Sequence, residues 1–284
     1  MIDIIENIIQ WAESEPEIRA LILEGSMVSG ANTDKLSDYD LNLFVTDDKQ
    51  YSESNDWIYA FDDVTVYQKP DFTFEKRYIP SRLVVYKNSP RVDFSFWNVD
   101  ILKHFVEKQH LPEFYKNGYR ILLDKDNIAS KLPEPTHDGY AISKPLKDDL
   151  LKTIYDFWYE AYCVVKYLKR GSLFFAKMVE NSYIKKFLLQ MILWNEAAKK
   201  SWRTYHIHTE GKNLEKVISE SLKNKLSGCF SEYGKEAILR SLFMMMRLFE
   251  ELSKTLCGDL EIKYPEGRIL TIKKYISTIL DRRI

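Results

Sequence analysis

The apolar positions change rhythm partway along the chain. Between 146 and 264, a stretch without proline, Leu150, Leu151, Ile154, Phe157, Trp158, Ala161, Val164, Val165 and Leu168 recur at steps of three and four. That is the helical period, with no proline to interrupt it. Segments 173–199 and 235–257 carry the same rhythm, and 268–281 a weaker form of it. The first half reads differently. Ile2, Ile5, Ile8, Ile9 and Ala12 predict a helix over 2–13, stopped by Ser14-Glu15-Pro16-Glu17. Short β-rich runs follow at 19–25, 39–46, 64–68, 82–87 and 91–97, with Ser89-Pro90-Arg91 as a hairpin turn between the last two. The segment 131–145, which holds Pro133, Pro135 and Pro145, reads as a linker. The expected architecture is an α/β (α+β) domain with a mixed sheet over 1–135, followed by an all-α helical-bundle domain over 136–284.

Composition narrows the class without choosing a function. The 284 residues suit about two domains. Apolar residues make up 45% and charged residues 29%, which excludes disordered and collagen-like chains. Forty-one basic residues against 42 acidic ones leave a net charge of −1, so no basic excess exists to displace counterions from long nucleic acid. No apolar run reaches the roughly 20 residues that span a bilayer. The acidic, amphipathic N-terminus has no basic n-region and does not read as a signal peptide. Cys163, Cys229 and Cys257 have no metal spacing and suit reduced thiols in the cytoplasm.

Candidate chemistry gathers in the first half. Gly25-Ser26 ends an apolar run, where glycine allows close backbone approach and serine can bond a phosphate oxygen. Asp38-Tyr39-Asp40 opens the next run. Alternation along it sets Asp40 with Asn42 and Phe44 on one face, and Tyr39, Leu41 and Leu43 on the other. Asp38 and Asp40, two apart, point to the same side and can share a cation. Asp93 sits among apolar neighbours, where an unpaired carboxylate would be costly. Three carboxylates form a hard oxygen site suited to Mg²⁺, which takes substrate phosphates as further ligands. Two such ions about 4 Å apart would hold the attacking and leaving oxygens of an in-line transfer.

Other patterns carry blander readings. Asp124 and Asp126 are also two apart, but without a preceding Gly-Ser they read as solvated charge. His206 and His208 alternate like a metal pair, with no third ligand evident. Met244-Met245-Met246 read as core filler, and Trp158, Trp194 and Trp202 as helix packing.

The strand, the Gly-Ser end, the paired aspartates and the later strand aspartate resemble the polymerase-β-like nucleotidyltransferase superfamily. Over nearly the whole length, LILEGS, SDYDLNLFVTD, RVDFSFW, ILLDKD, DFWYEAYCVVKYLKR, LFFAK, GKN and IKKYI fall in the order seen in the aminoglycoside 6-adenylyltransferase family. The resemblance implies Mg²⁺-dependent transfer of AMP from ATP to a hydroxyl of a small cationic acceptor, with antibiotic resistance as the outcome. Asp38 and Asp40 then resemble the metal ligands, Asp93 a third ligand or the general base, and Gly25 and Ser26 the triphosphate contact. Lys166 and Lys177 match family lysines that could reach the triphosphate, against a reading as snorkelling surface lysines. Asp156, Glu160 and Glu180 are candidates for an acidic acceptor pocket, against a reading as exposed helical charge.

The departures cluster. Met27 stands where the family carries arginine after Gly-Ser. Met178-Val179 replace an acidic residue and histidine after FAK, and Leu214 replaces tyrosine after GKN. The catalytic motifs match while the helical half drifts, so streptomycin is expected to be a poor acceptor. Two other readings stand beside the leading one: the same chemistry on another small molecule or a protein, and a catalytically weak nucleotide-binding module.

Overall fold

The computed structural model describes residues 4–29, 34, 36–203 and 210–281. His206 and His208 lie outside the described residues. The chain divides into two compact units, Met1–Gly139 and Tyr140–Ile284.

The first unit contains helices α1 (Ile4–Ser14), α2 (Ser26–Ser29), α3 (Lys49–Glu53), α4 (Val99–Lys108) and α5 (Glu113–Lys116). Its strands are β1 (Ile18–Glu24), β2 (Tyr39–Val45), β3 (Val64–Gln68), β4 (Thr73–Phe74), β5 (Arg77–Tyr78), β6 (Ser81–Tyr86), β7 (Val92–Asn98) and β8 (Arg120–Asp124). Six strands form one sheet in the order β3-β6-β7-β2-β1-β8, and β4 pairs with β5 separately. In the six-stranded sheet β2 and β7 run parallel, and the other neighbours antiparallel, so the sheet is mixed. The β6–β7 pair is the hairpin expected at Ser89-Pro90.

Side-chain alternation splits the core into two layers. Leu21, Leu23, Leu41, Leu43, Phe94 and Phe96 pack with Ile5, Ile8 and Ala12 of α1. Ala20, Ile22, Phe44 and Trp97 pack on the opposite face with Ile101, Leu102 and Phe105 of α4. Asp40 and Asn42 share the face of Phe44.

Strand β8 has no counterpart in the β-rich runs, because its five residues carry Arg120 and Asp124 at their ends. It pairs with β1. Asp124 accepts hydrogen bonds from the backbone N–H groups of Ile128 and Ser130, both at 2.9 Å. Asp126 takes the guanidinium of Arg19. This pair is a turn cap and an ion-pair partner, more than the solvated charge that its spacing suggested.

The second unit is helical: α6 (Lys147–Lys169), α7 (Leu173–Val179), α8 (Lys185–Lys199), α9 (Leu214–Val217), α10 (Glu220–Ser227), α11 (Lys235–Asp259) and α12 (Glu266–Leu280). Helices α6 and α11 are joined by a face-to-face stack of Phe157 on Phe249, ring centroids 3.7 Å apart. Met245 and Met246 are core, as expected, whereas Met244 is partly exposed. The periodic run 173–199 is one helical stretch interrupted by a π turn at Glu180–Ile184. The three cysteines are buried free thiols. Among the described residues no helix is long and apolar enough to cross a membrane.

Candidate functional site

The parallel pairing of β2 with β7 builds the site. Its register sets Tyr39 beside Val92, Asp40 beside Asp93 and Asn42 beside Ser95. Asp38 and Arg91 sit one residue before their strands, and the Tyr39 N–H donates to the Arg91 carbonyl at 3.0 Å. Asp38, Asp40, Arg91 and Asp93 therefore occupy alternate positions on one face at one end of the sheet. The sequence placed the three carboxylates on strands; the register makes them neighbours.

Arg91 holds two of them. Its Nε donates to Asp93 Oδ1 at 2.7 Å and its Nη2 donates to Asp93 Oδ2, a bidentate fork. Nη1 stands 3.3 Å from Asp38 Oδ2. Burial pushes the Asp93 carboxyl above its ordinary value, against the opposing pull of Arg91. The Asp93 side chain is 16% exposed, whereas those of Asp38 and Arg91 are 32% and 39% exposed.

Gly25 supports Asp40 directly. It adopts φ +76°, and a Cβ there would overlap Asp40 Oδ2. The close approach that glycine permits here is to the aspartate. The Gly25 carbonyl accepts from the Val28 and Ser29 N–H groups and opens α2 with Ser26. Met27 packs against the α1-side core.

Behind the carboxylates lies a buried polar relay absent from the sequence reading. Glu24 pairs with Asp40 across β1 and β2. Asn42 donates from Nδ2 to Glu24 Oε1 at 2.9 Å and accepts from Trp97 Nε1 at 2.7 Å. Burial, aided by the charge of Asp40, pushes the Glu24 carboxyl up to about 8, with the Asn42 hydrogen bond opposing. Asn42 is visible in the sequence only as a polar residue in an apolar strand.

The helical-unit candidates divide. Glu180, fully buried at the start of the π turn, is ion-paired with Lys177 at 2.7 Å. Lys177 also donates to the Ser231 carbonyl and hydroxyl, both at 2.7 Å, and the Ser241 hydroxyl donates to Glu180. Lys177 and Glu180, expected as a triphosphate contact and an acceptor contact, are brought together as an ion pair. The two residues neutralise each other inside the helical core, where an unpaired charge would be costly. Lys166 lies over the Tyr167 ring at 5.2 Å. Asp156 and Glu160, one turn apart on α6, are only partly buried; Asp156 pairs with Lys152. Burial and the neighbouring Asp156 charge push the Glu160 carboxyl up. Val179 and Leu214 are core residues, leaving Met178 as the exposed departure in this unit.

An all-oxygen donor set fits a hard divalent cation by its chemistry, and the guanidinium already placed between Asp38 and Asp93 shows that this end of the sheet accommodates positive charge. As they stand, no three carboxylate, imidazole or thiol side chains among the described residues are grouped closely enough to hold a metal ion. Arg91 occupies oxygens that such a group would need.

A mixed sheet with Gly-Ser at one strand end, aspartates on adjoining strands and a helical unit following in sequence suits a nucleotidyltransferase. A family model for streptomycin adenylyltransferase matches residues 2–279, and the chain belongs to that family. It is 25% identical over 272 residues to an aminoglycoside 6-adenylyltransferase of Bacillus subtilis (strain 168), covering 93% of this chain and 92% of the relative. An aminoglycoside 6-adenylyltransferase of Campylobacter jejuni is 25% identical over 269 residues, covering 93% and 90%. A crystal structure of an aminoglycoside 6-adenyltransferase from Bacillus subtilis aligns over 98% of this chain and 97% of its own, with 23% identity and a TM-score of 0.49.

Proposed function

We propose that this protein transfers AMP from ATP to a hydroxyl of an aminoglycoside, inactivating the antibiotic. The observation that carries the reading is the cross-strand pairing of Asp40 with Asp93, beside Asp38, in a chain of this family. The relatives' names supply the acceptor class.

Asp38, Asp40 and Asp93 would hold Mg²⁺, which when bound supplies positive charge against the α-phosphate and the departing pyrophosphate. Gly25 and Ser26 border the nucleotide phosphates. Asp93 takes the proton of the acceptor hydroxyl. The freed oxygen attacks the α-phosphorus, a new P–O bond forms, and the bond from the α-phosphorus to the bridging oxygen breaks to release pyrophosphate. A group poised in this way contributes about 10²–10⁴-fold to such a step. In the chain without metal, burial holds the Asp93 carboxyl above its ordinary value against the pull of Arg91.

Asp156 and Glu160 of α6 are the candidate acidic contacts for the ammonium groups of an aminoglycoside. The reaction draws on cytoplasmic ATP, a compartment in keeping with three buried free thiols. Pyrophosphate release from MgATP with a panel of aminoglycosides tests the reading. Acceptor-dependent release supports it, and acceptor-independent or absent release opposes it.

A further inference from the structure

Arg91 is a charged group of the described site to which the proposed chemistry gives no task. Its position follows from the fold. In parallel strands the residue before β7 is neighbour to the residue before β2, so Arg91 faces Asp38, and two residues on it shares a face with Asp93. All three guanidinium nitrogens are engaged: Nε and Nη2 with both oxygens of Asp93, and Nη1 with Oδ2 of Asp38. The fork holds both oxygens of Asp93 while the third nitrogen reaches Asp38, an arrangement that a point charge such as lysine cannot reproduce.

We propose that Arg91 is the resting counter-cation of this site, pairing with Asp38 and Asp93 and competing with a divalent cation for their oxygens. The inference rests on the reading of Asp38, Asp40 and Asp93 as cation ligands. A divalent ion needs bare carboxylate oxygens at about 2.0–2.1 Å, and both oxygens of Asp93 are taken up by N–H donors. A guanidinium held against the same carboxylates also repels a second positive charge. Arg91 can yield. Its side chain is 39% exposed and its stem is long, so it can turn away from the strand ends without disturbing the sheet. The protein without nucleotide then keeps its cluster of aspartates neutralised without a metal. It commits them to a cation only when a competing anion, such as a triphosphate, draws the guanidinium off. The cost of displacing Arg91 lowers cation affinity in the nucleotide-free protein.

The test is a titration of the nucleotide-free full chain with Mn²⁺, followed by electron paramagnetic resonance of the free ion. In R91M the competitor is gone, and Mn²⁺ should bind about tenfold more tightly than in the unaltered protein, equivalent to about 1.4 kcal/mol. The double variant R91M/D40N should lose that gain. Thermal melting gives an independent readout: Mn²⁺ should raise the melting temperature of R91M more than that of the unaltered chain. Should R91M fail to fold, R91K keeps the charge but loses the fork, and should also bind Mn²⁺ more tightly. Equal or weaker Mn²⁺ affinity in R91M, or in R91K where R91M does not fold, overturns the role given to Arg91 and leaves the cation-site reading intact. A gain that persists in R91M/D40N shows that Asp40 is not among the ion's ligands and overturns the three-aspartate cation-site reading on which the proposal rests.

Discussion

The Asp40 carboxylate lies where a side chain on Gly25 would have to go: a Cβ built on Gly25 overlaps Asp40 Oδ2, at a backbone φ of +76°. The glycine at the strand end and the aspartate on the next strand are thus one device. Left-handed backbone costs other residues about 1 kcal/mol or more, and the overlap adds displacement of the carboxylate. Gly25→Ala should therefore shift Asp40 and reduce adenylyl transfer by about 10²-fold, the scale of a 1 Å misplacement. Circular dichroism should show the fold retained. Transfer rates near those of the unaltered protein would show that Asp40 tolerates the shift.

Asp93→Asn keeps size and removes the charge. Turnover should fall by about 10²–10⁴-fold if Asp93 acts as the base. The base must be ionised to accept a proton, so activity should be lost as pH falls through its pKa. Burial holds that pKa above the ordinary aspartate value. The acidic limb of the pH–rate profile should accordingly vanish in the variant's residual activity. An unchanged limb in Asp93→Asn would assign it to another group.

Glu24 links the site to stability. Its carboxyl is raised from 4.5 to about 8 in the folded chain, so the folded state binds its proton more tightly than the unfolded state does. The linkage then runs in one direction: this contribution is complete below about pH 4.5 and is lost as pH rises toward 8. Glu24→Gln keeps an acceptor for Asn42 and removes the titration. The variant should melt a few degrees above the unaltered protein at pH 8 and no higher at pH 4.5. Parallel melting curves across that range would contradict the assignment.

The Lys177–Glu180 pair should behave as a structural element. Removing one partner of a buried pair costs about 3–5 kcal/mol, because the other charge is left uncompensated. Lys177→Met should destabilise the helical unit on that scale in denaturant titrations, and Lys177→Met with Glu180→Leu should recover most of the loss. ATP affinity should not change in the double variant. A selective loss of ATP binding there would return Lys177 to the triphosphate.

What the sequence disclosed depended on local pattern. The long helices were legible because apolar residues recur at 3.6-residue spacing without proline. Five of the six strands of the main sheet showed through their β-rich runs. Asp38, Asp40 and Asp93 stood out as charges at the ends of, or inside, apolar runs. Strand order was not legible, and with it went Arg91. Its partnership with Asp38 exists only through the parallel β2–β7 register, between residues more than 50 positions apart. Glu24 was quoted within LILEGS, yet its burial beside Asp40 comes from the β1–β2 pairing. The pairing of Lys177 with Glu180 was not legible because an i,i+3 pair of charges on a helix ordinarily faces water. Here the π turn and α11 close over it, with Ser241 of α11 completing the hydrogen bonds.

The central claim is adenylyl transfer by the Asp38–Asp40–Asp93 cluster to an aminoglycoside hydroxyl. The most direct measurement incubates the protein with Mg²⁺, ATP labelled at the α-phosphate and an aminoglycoside panel that includes streptomycin, with D40N run alongside, and follows label in the antibiotic by mass spectrometry. The account predicts an AMP adduct on at least one aminoglycoside, with matching pyrophosphate release, both lost in D40N. Adduct formation undiminished in D40N, or no adduct on any member of the panel, would contradict it.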